Sequence, residues 1–482
     1  MKLNHITLHN FRCFQHAHLE LHPQLTVLVA NNGQGKTTFL DAISIALWPY
    51  INEFDLANSA GSSKRNSIAV SDVYLSRKTI EELQNSEVFN NKFGIASINL
   101  MFRKLPCEIQ AKANIQDKTM SWVRFRDKET PNSHTKDNKE CKDLRQLGKN
   151  TQKQLREMQI LITLPVFAYY GTGRLWNRTR LTAGSKSETY PQDSNISTFA
   201  YRDCLNPASN YRQFENWFVK TYYDIINIRI SAEMAEKYMN NEELYALFQP
   251  LRVIQEAVKI VLSTVGWDNP QYSGTKETIT LSHKKYGILA VNQLSDGIQA
   301  VFALVADLAY RCYLLNSHLG DEATKQTPGI VLIDEVDMHL HPKWQQTILT
   351  QLRTAFPGIQ FIVTTHSPQV LSTVAAENIR IIHENGEIET PTEQSEGIAS
   401  NEILARILGV NPTPDIDIAR KLSEYRALIE DGDYESAAAE QLKKQIQQHF
   451  GEQHFIWRDC ERLIRLQESK RRLAAKKENR RA

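Results

Sequence analysis

A strand-to-helix junction near the N-terminus constrains this chain more than any other feature. Leu25-Thr26-Val27-Leu28-Val29 is a short apolar run rich in β-branched residues, Ala30 to Gly35 is small and glycine-bearing, and Phe39 to Leu47 reads as an apolar helix. Gly35-Lys36-Thr37 closes the loop in the pattern G-x-x-x-x-G-K-[ST], with Ala30 in place of the first glycine. Small residues are needed there because backbone N–H groups must approach phosphate oxygens closely, while the helix N-terminus adds unpaired donors and a favourable dipole. The pattern predicts that Lys36 reaches the β and γ phosphates of a nucleotide and that Thr37 ligates Mg²⁺. If position 30 requires a positive φ, alanine there costs roughly 1 kcal/mol.

Two later segments supply what phosphoryl transfer still lacks. Gly329-Ile330-Val331-Leu332-Ile333 is a buried-strand pattern ending in Asp334-Glu335, and Ile359 to Thr364 is another, ending in Thr365-His366-Ser367-Pro368. In an α/β sheet both would deliver polar groups to the carboxyl edge, where such sheets bind ligands. Asp334 is expected to hold Mg²⁺ through water, Glu335 to orient or polarise the attacking water, and His366 to contact the γ-phosphate.

Taken in order, Asn32-Gly33-Gln34-Gly35-Lys36-Thr37, Leu294-Ser295-Asp296-Gly297-Ile298-Gln299, Asp334-Glu335-Val336-Asp337-Met338-His339-Leu340-His341-Pro342 and Thr364-Thr365-His366-Ser367-Pro368 resemble the motifs of ABC-type ATPase heads. Within that superfamily the chain resembles the branch of RecF, SMC and OLD-family ATPases, whose phosphate loop follows an N-terminal "NFR" strand, here Asn10-Phe11-Arg12. The resemblance implies an α/β, ABC-type P-loop ATPase that binds ATP and Mg²⁺. Arg12, Asn32, Gly33, Gly35, Lys36, Thr37 and Thr38 would form the nucleotide site, Thr37 and Asp334 would hold the metal, and Glu335 and His366 would be catalytic. It also implies a head-to-tail dimer in which Ser295 and Gly297 of one copy complete the other's site and Asp337 lies on the loop crossing that interface. Association and nucleotide occupancy would then be linked. "HLHP" is the usual continuation in the OLD-like branch, which argues against a metal reading of His339 and His341. Val336 stands where transporter motors carry proline after the acidic pair, and no glutamine-loop equivalent is identifiable. At its place Tyr169-Tyr170-Gly171-Thr172-Gly173-Arg174 reads as a strand entering a turn, with Arg174 the candidate contact or an arginine on an ordinary turn.

The remaining segments divide the chain into an N-terminal ATPase lobe at 1–175, a mainly helical insertion at 176–285, a C-terminal ATPase lobe at 286–400 and a helical, basic region for partner docking at 401–482. Asp127 to Glu157 has no aromatic residue and reads as a mobile polar excursion. The Trp217, Phe218, Tyr222, Tyr223 cluster reads as packing within a compact helical arm, too short for a long coiled coil. Gly297 to Leu315 is long and apolar, but Asp307 and Arg311 mark it as a buried helix and no membrane span. Six scattered cysteines without a C-x-x-C pair, and an N-terminus lacking the continuous apolar stretch of a secretory signal, fit a reducing cytoplasm. Whole-chain charge is +2 and uninformative, whereas Arg458 to Ala482 carries ten Lys or Arg against four Asp or Glu.

The segment past Asn411 shows neither the carboxylate-bearing α/β domain of OLD-type nucleases nor an H-N-H-like cluster. The combination resembles the PtuA-like ATPases of Septu and retron-associated antiphage systems. That resemblance implies a PtuB-like HNH nuclease on a separate chain as partner, and, where the system is a retron, its reverse transcriptase and msDNA. The alternative expectation is a stand-alone RecF/SMC-like ATPase acting in DNA repair, which would show salt-sensitive DNA binding.

Overall fold

The computed structural model describes residues 1–55, 66–77, 101–115, 118–131, 133–157, 161–174, 197–207, 211–236 and 238–478. They form two compact units, Met1–Ile403 and Leu404–Ala482. Both ATPase lobes and the insertion expected between them therefore belong to one unit.

At the centre of the first unit is a six-stranded sheet. Its order from edge to edge is Ile388–Glu389, Ile379–Ile382, Leu25–Val29, Ile359–Thr364, Gly329–Ile333 and Val166–Tyr170. All neighbours are parallel except the short edge strand Ile388–Glu389. The four strands from Leu25–Val29 to Val166–Tyr170 in that order are buried throughout, as a parallel sheet covered on both faces requires, and this is why they read as unbroken apolar runs. Gly329 is fixed by close approach, since a Cβ there would lie 2.1 Å from the Val166 carbonyl oxygen.

A five-stranded antiparallel sheet, ordered Phe14–Glu20, Lys2–Phe11, Cys107–Ile115, Lys118–Arg126, Lys136–Asp137, forms a second layer. Gln360 joins the two sheets. Its buried amide donates to the Leu3 and His22 carbonyls at 2.7 and 3.0 Å and accepts the Leu3 N–H at 2.8 Å. The helix Lys36–Ile51 that follows the phosphate loop has fourteen of its sixteen residues buried and contains Pro49. Proline removes the N–H that would bond the Ile45 carbonyl. The buried Arg124 of the second sheet supplies that donor at 2.6 Å, and Trp122 Nε1 donates to Ala46 O at 2.9 Å.

Two expectations are corrected. Asp127 to Glu157 contains a short strand and the helix Lys139–Arg156, capped by Asn138, and this helix buries Cys141, Leu144, Gly148, Thr151 and Gln152. Its polar composition hides a narrow apolar stripe, and Arg145 anchors it to Asp137 and Glu53 at 2.6 and 3.0 Å. The insertion is helical over Tyr211–Met234 and Asn241–Leu262, then turns into a three-stranded antiparallel sheet, Trp267–Ser273, Thr278–His283 and Gly287–Ala290. Period-two alternation in Thr278–His283 was the available signal. The aromatic cluster does pack: Trp217 lies 4.8 Å from Tyr310 and Tyr223 5.4 Å from Tyr272, centroid to centroid.

The one helix among the described residues long and apolar enough to cross a membrane, Asp296–Leu315, is 83% buried inside the protein over its most apolar window. Its charges are paired there. Arg311 Nε donates to Asp307 Oδ2 at 2.8 Å, Tyr170 donates to the same oxygen at 2.8 Å, and Arg311 Nη1 also bonds the Ala200 carbonyl.

The C-terminal unit is helical over Asp417–Asp431, Ala437–Phe450 and Ile456–Glu478, around a core of Tyr425, Ile429, Ala439, Ile446, Ile456 and Cys460.

Asp307→Ala leaves the Arg311 guanidinium buried without its carboxylate, and stability is expected to fall by about 3–5 kcal/mol. A shift in the urea unfolding midpoint of Met1–Ile403 measures it; a change within error would show that water reaches Arg311.

Candidate functional site

The loop Ala30 to Gly35, the candidate phosphate cradle, turns at Gly33 and Gly35, with φ of 83° and 89°. At Gly35 the need for glycine is twofold, because a Cβ would also meet the Phe14 ring at 2.5 Å and Cys13 Sγ at 2.8 Å. Ala30 is not among the residues of positive φ, so its replacement of glycine carries no backbone cost. Lys36 is buried and folds its ammonium onto the loop's own carbonyls, Ala30 O at 2.9 Å and Asn31 O at 3.3 Å. Gln34 Oε1 accepts the Asn31 N–H at 2.8 Å, one of the donors such a loop offers to phosphate. Asn32 and Gly33 are exposed, whereas Thr38 is buried with its hydroxyl 4.0 Å from Cys13 Sγ.

The strand order brings Asp334 beside this loop. Thr37 Oγ1 donates to Asp334 Oδ2 at 2.9 Å, and Thr364 Oγ1, from the strand between them, donates to Asp334 Oδ1 at 2.6 Å. The same Thr364 oxygen accepts the Glu335 N–H at 2.7 Å. Glu335 has a φ of 47°, a conformation rare for a non-glycine residue and concentrated at functional sites. Thr364 thus fixes both members of the acidic pair. Thr365 and Ser367 flank His366 in the same manner: Thr365 Oγ1 donates to Asp337 Oδ1 at 2.5 Å, and Ser367 Oγ donates to Gln345 Oε1 at 2.8 Å. Gln345 Nε2 in turn holds the Leu340 carbonyl at 3.0 Å.

The electrostatics follow from this packing. Burial pushes the Lys36 ammonium below its ordinary value, opposed by Asp334, Glu335 and Asp337. Burial and then Lys36 push His366 down, so its imidazole is neutral at pH 7 and presents one N–H and one acceptor. The oxygens of Thr37 and Asp334 converge, hard-donor chemistry suited to Mg²⁺.

Lys36, Thr37, Asp334, Glu335, Asp337 and His366 are therefore brought together. Arg12 is held instead by two carboxylates, Asp72 at 2.8 Å and Asp41, and Tyr169 bonds Asp41 at 2.8 Å. Ser295 is exposed at the start of the helix Asp296–Leu315 and leaves that helix uncapped by its side chain. Gly297 presses on the next loop, where a Cβ would lie 2.4 Å from the His339 carbonyl oxygen. His341 accepts the Lys343 N–H and caps the helix Pro342–Gln345. Arg174 ends a 3₁₀ turn after the edge strand, and its side chain lies outside the described residues. Sequence reasoning missed Asp41, Asp72, Gln345 and the roles of Thr364 and Thr365. The only signal for the threonines was their position before His366.

The family model described as "AAA ATPase domain" matches residues 1–371. The chain is similar to the Retron Vc95 probable ATPase of Vibrio cholerae serotype O1 biovar El Tor, 27% identical over 93% of this chain and 88% of that protein. It is also similar to the Septu protein PtuA of Bacillus mycoides (strain KBAB4), 41% identical over 20% of this chain and 13% of that protein. Among solved structures it is similar to the SMC head domain from Thermotoga maritima, at 12% identity, 81% coverage of this chain, 99% of that chain and a TM-score of 0.39.

Thr364→Val removes one hydroxyl from the buried side of the acidic pair without changing volume much. Outer-sphere partners of this kind are typically worth 10–100-fold in metal affinity or activity. ATP turnover should fall by about that factor, with a raised Mg²⁺ requirement, and stability should fall by about 1–3 kcal/mol because Asp334 and the Glu335 N–H lose this partner. Turnover equal to wild type would remove Thr364 from the site.

Proposed function

The chain belongs to the AAA ATPase domain family, and on that basis we propose that it is the ATP-binding and ATP-hydrolysing regulatory subunit of an antiphage defence complex of the Septu and retron kind. In this reading it controls an HNH-type nuclease carried on a separate chain. The observation that carries it is the extent of the similarity to a retron probable ATPase, 93% of this chain. The uncovered remainder is smaller than Leu404–Ala482, so the match runs beyond the ATPase motifs into the C-terminal unit.

The chemistry assigned to each residue follows from the geometry. Lys36, released from Ala30 and Asn31, would neutralise terminal phosphate oxygens, and the Gly33–Gly35 backbone would donate to them. Thr37 and Asp334 would hold Mg²⁺, which supplies charge neutralisation between the β and γ phosphates. Glu335, held by Thr364 at its N–H, would align water for attack, and neutral His366 would donate to the γ-phosphate. Ser295, exposed at a helix N-terminus, would complete the site of a second copy, with Asp337 at the shared boundary. The basic helix Ile456–Glu478 is the surface we assign to the nuclease, or to nucleic acid in a retron system.

Two variants separate occupancy from turnover. Lys36→Ala should weaken ATP binding at least tenfold. Glu335→Gln should keep binding and lower kcat by on the order of 10²–10⁴-fold, the range for loss of a proton-transfer or water-aligning group. Binding is read by calorimetry and turnover by phosphate release. Native mass measurement of the protein recovered from its own operon, with and without ATP, tests the assembly. Co-recovery of a small nuclease chain agrees with the proposal, whereas a lone chain that dimerises with ATP points to the repair ATPase.

A further inference from the structure

The outward face of the N-terminal hairpin carries four histidines that the nucleotide site does not use. Lys2–Phe11 and Phe14–Glu20 pair in antiparallel register, with Ile6, Leu8, Ala17 and Leu19 buried on the inner face. Side chains alternate across a strand, so His5, Thr7 and His9 share the outer face with His16 and His18. The histidines differ in their engagement. His18 Nδ1 is taken by Thr7 Oγ1 at 2.8 Å, whereas His9 and His16 lie directly opposite each other with their Nδ1 atoms 3.2 Å apart. Two imidazole nitrogens bound to one tetrahedral ion at 2.0–2.1 Å stand about 3.3 Å apart. The hairpin backbone therefore already holds this pair at a chelating distance.

We propose that His9 and His16 form a two-imidazole site for a borderline-soft divalent ion such as Zn²⁺ or Ni²⁺, with water in the remaining positions. Neutral imidazoles suit these ions, and among the described residues no group of three or more His, Cys, Asp or Glu competes for them. In the metal-free pair one Nδ1 carries the proton shared with the other. Binding moves that proton to Nε2 of the same ring through solvent, so both Nδ1 lone pairs face the ion and no net charge is lost. The site is a clasp near the hairpin's closed end, where Phe11 pairs with Phe14. The turn beyond it carries Arg12, bonded to Asp41, and the Cys13 and Phe14 side chains against Gly35 of the phosphate loop. An ion there would stiffen the support of that loop.

The test is calorimetric titration of tag-free full-length protein with ZnCl₂, and separately NiCl₂, at pH 7.5 without nucleotide. Cys13→Ser serves as background because Cys13 is the exposed thiol among the six. One equivalent should bind, His9→Gln and His16→Gln should each weaken it at least tenfold, and His18→Gln should not. Circular dichroism confirms that the exposed-face variants fold. Loss of the Nδ1 resonances of His9 and His16 on adding Ni²⁺, which is paramagnetic in this ligand class, reports the site directly. Absence of saturable binding, or binding that survives both variants, overturns the proposal whether or not the protein hydrolyses ATP.

Discussion

Asp334 is the group on which the site depends. It accepts hydrogen bonds from Thr37, 297 residues earlier in the chain, and from Thr364, 30 residues later. Asp334 is 4% exposed, and a buried carboxylate costs stability unless it is paired, which two hydroxyls and the nearby Lys36 ammonium provide. Those partners come from three adjacent parallel strands and the loops that leave them. If Leu25–Val29, Ile359–Thr364 and Gly329–Ile333 did not lie side by side, the loop, the acidic pair and the histidine would be three unrelated turns.

The surrounding structure protects that arrangement by satisfying buried polar groups one at a time. Gln360 binds the second sheet to the first, Arg124 replaces the donor that Pro49 removes, and Asp307 with Tyr170 and Arg311 neutralises the core helix. Each pairing fixes a register: a shift of one residue along Ile359–Thr364 would turn both Gln360 and Thr364 to the other face. The same logic explains the left-handed backbone of Glu335. Its N–H is held by Thr364 and the following Val336 N–H by the Thr364 carbonyl, so the neighbouring strand imposes the turn.

Polar composition was a poor guide to order. The segment from Asp127 to Glu157 looked solvated because lysine, asparagine and glutamine dominate it, yet a stripe of small and apolar residues at helical spacing suffices to bury one face. Gly148 illustrates the point, since a Cβ there would meet the Tyr50 carbonyl at 2.8 Å. The C-terminal unit was easier to read. The region expected to be helical at 401–482 does hold three main helices, Asp417–Asp431, Ala437–Phe450 and Ile456–Glu478, with Ser436 capping the second.

Legible from the residues alone were the candidate site's parts: the glycines that permit positive φ, the lysine and threonine that follow them, and the carboxylates and histidine at the ends of fully apolar strands. These are local properties, legible because a phosphate loop or a buried parallel strand needs particular residues in consecutive positions. What joins them was decided only in the tertiary structure. Nothing local marks Thr364 as the bridge between Asp334 and Glu335, Asp41 and Asp72 as the anchors of Arg12, or His9 as the opposite number of His16. Such partners are chosen by strand order and register, and those are set by burial summed over the whole sheet.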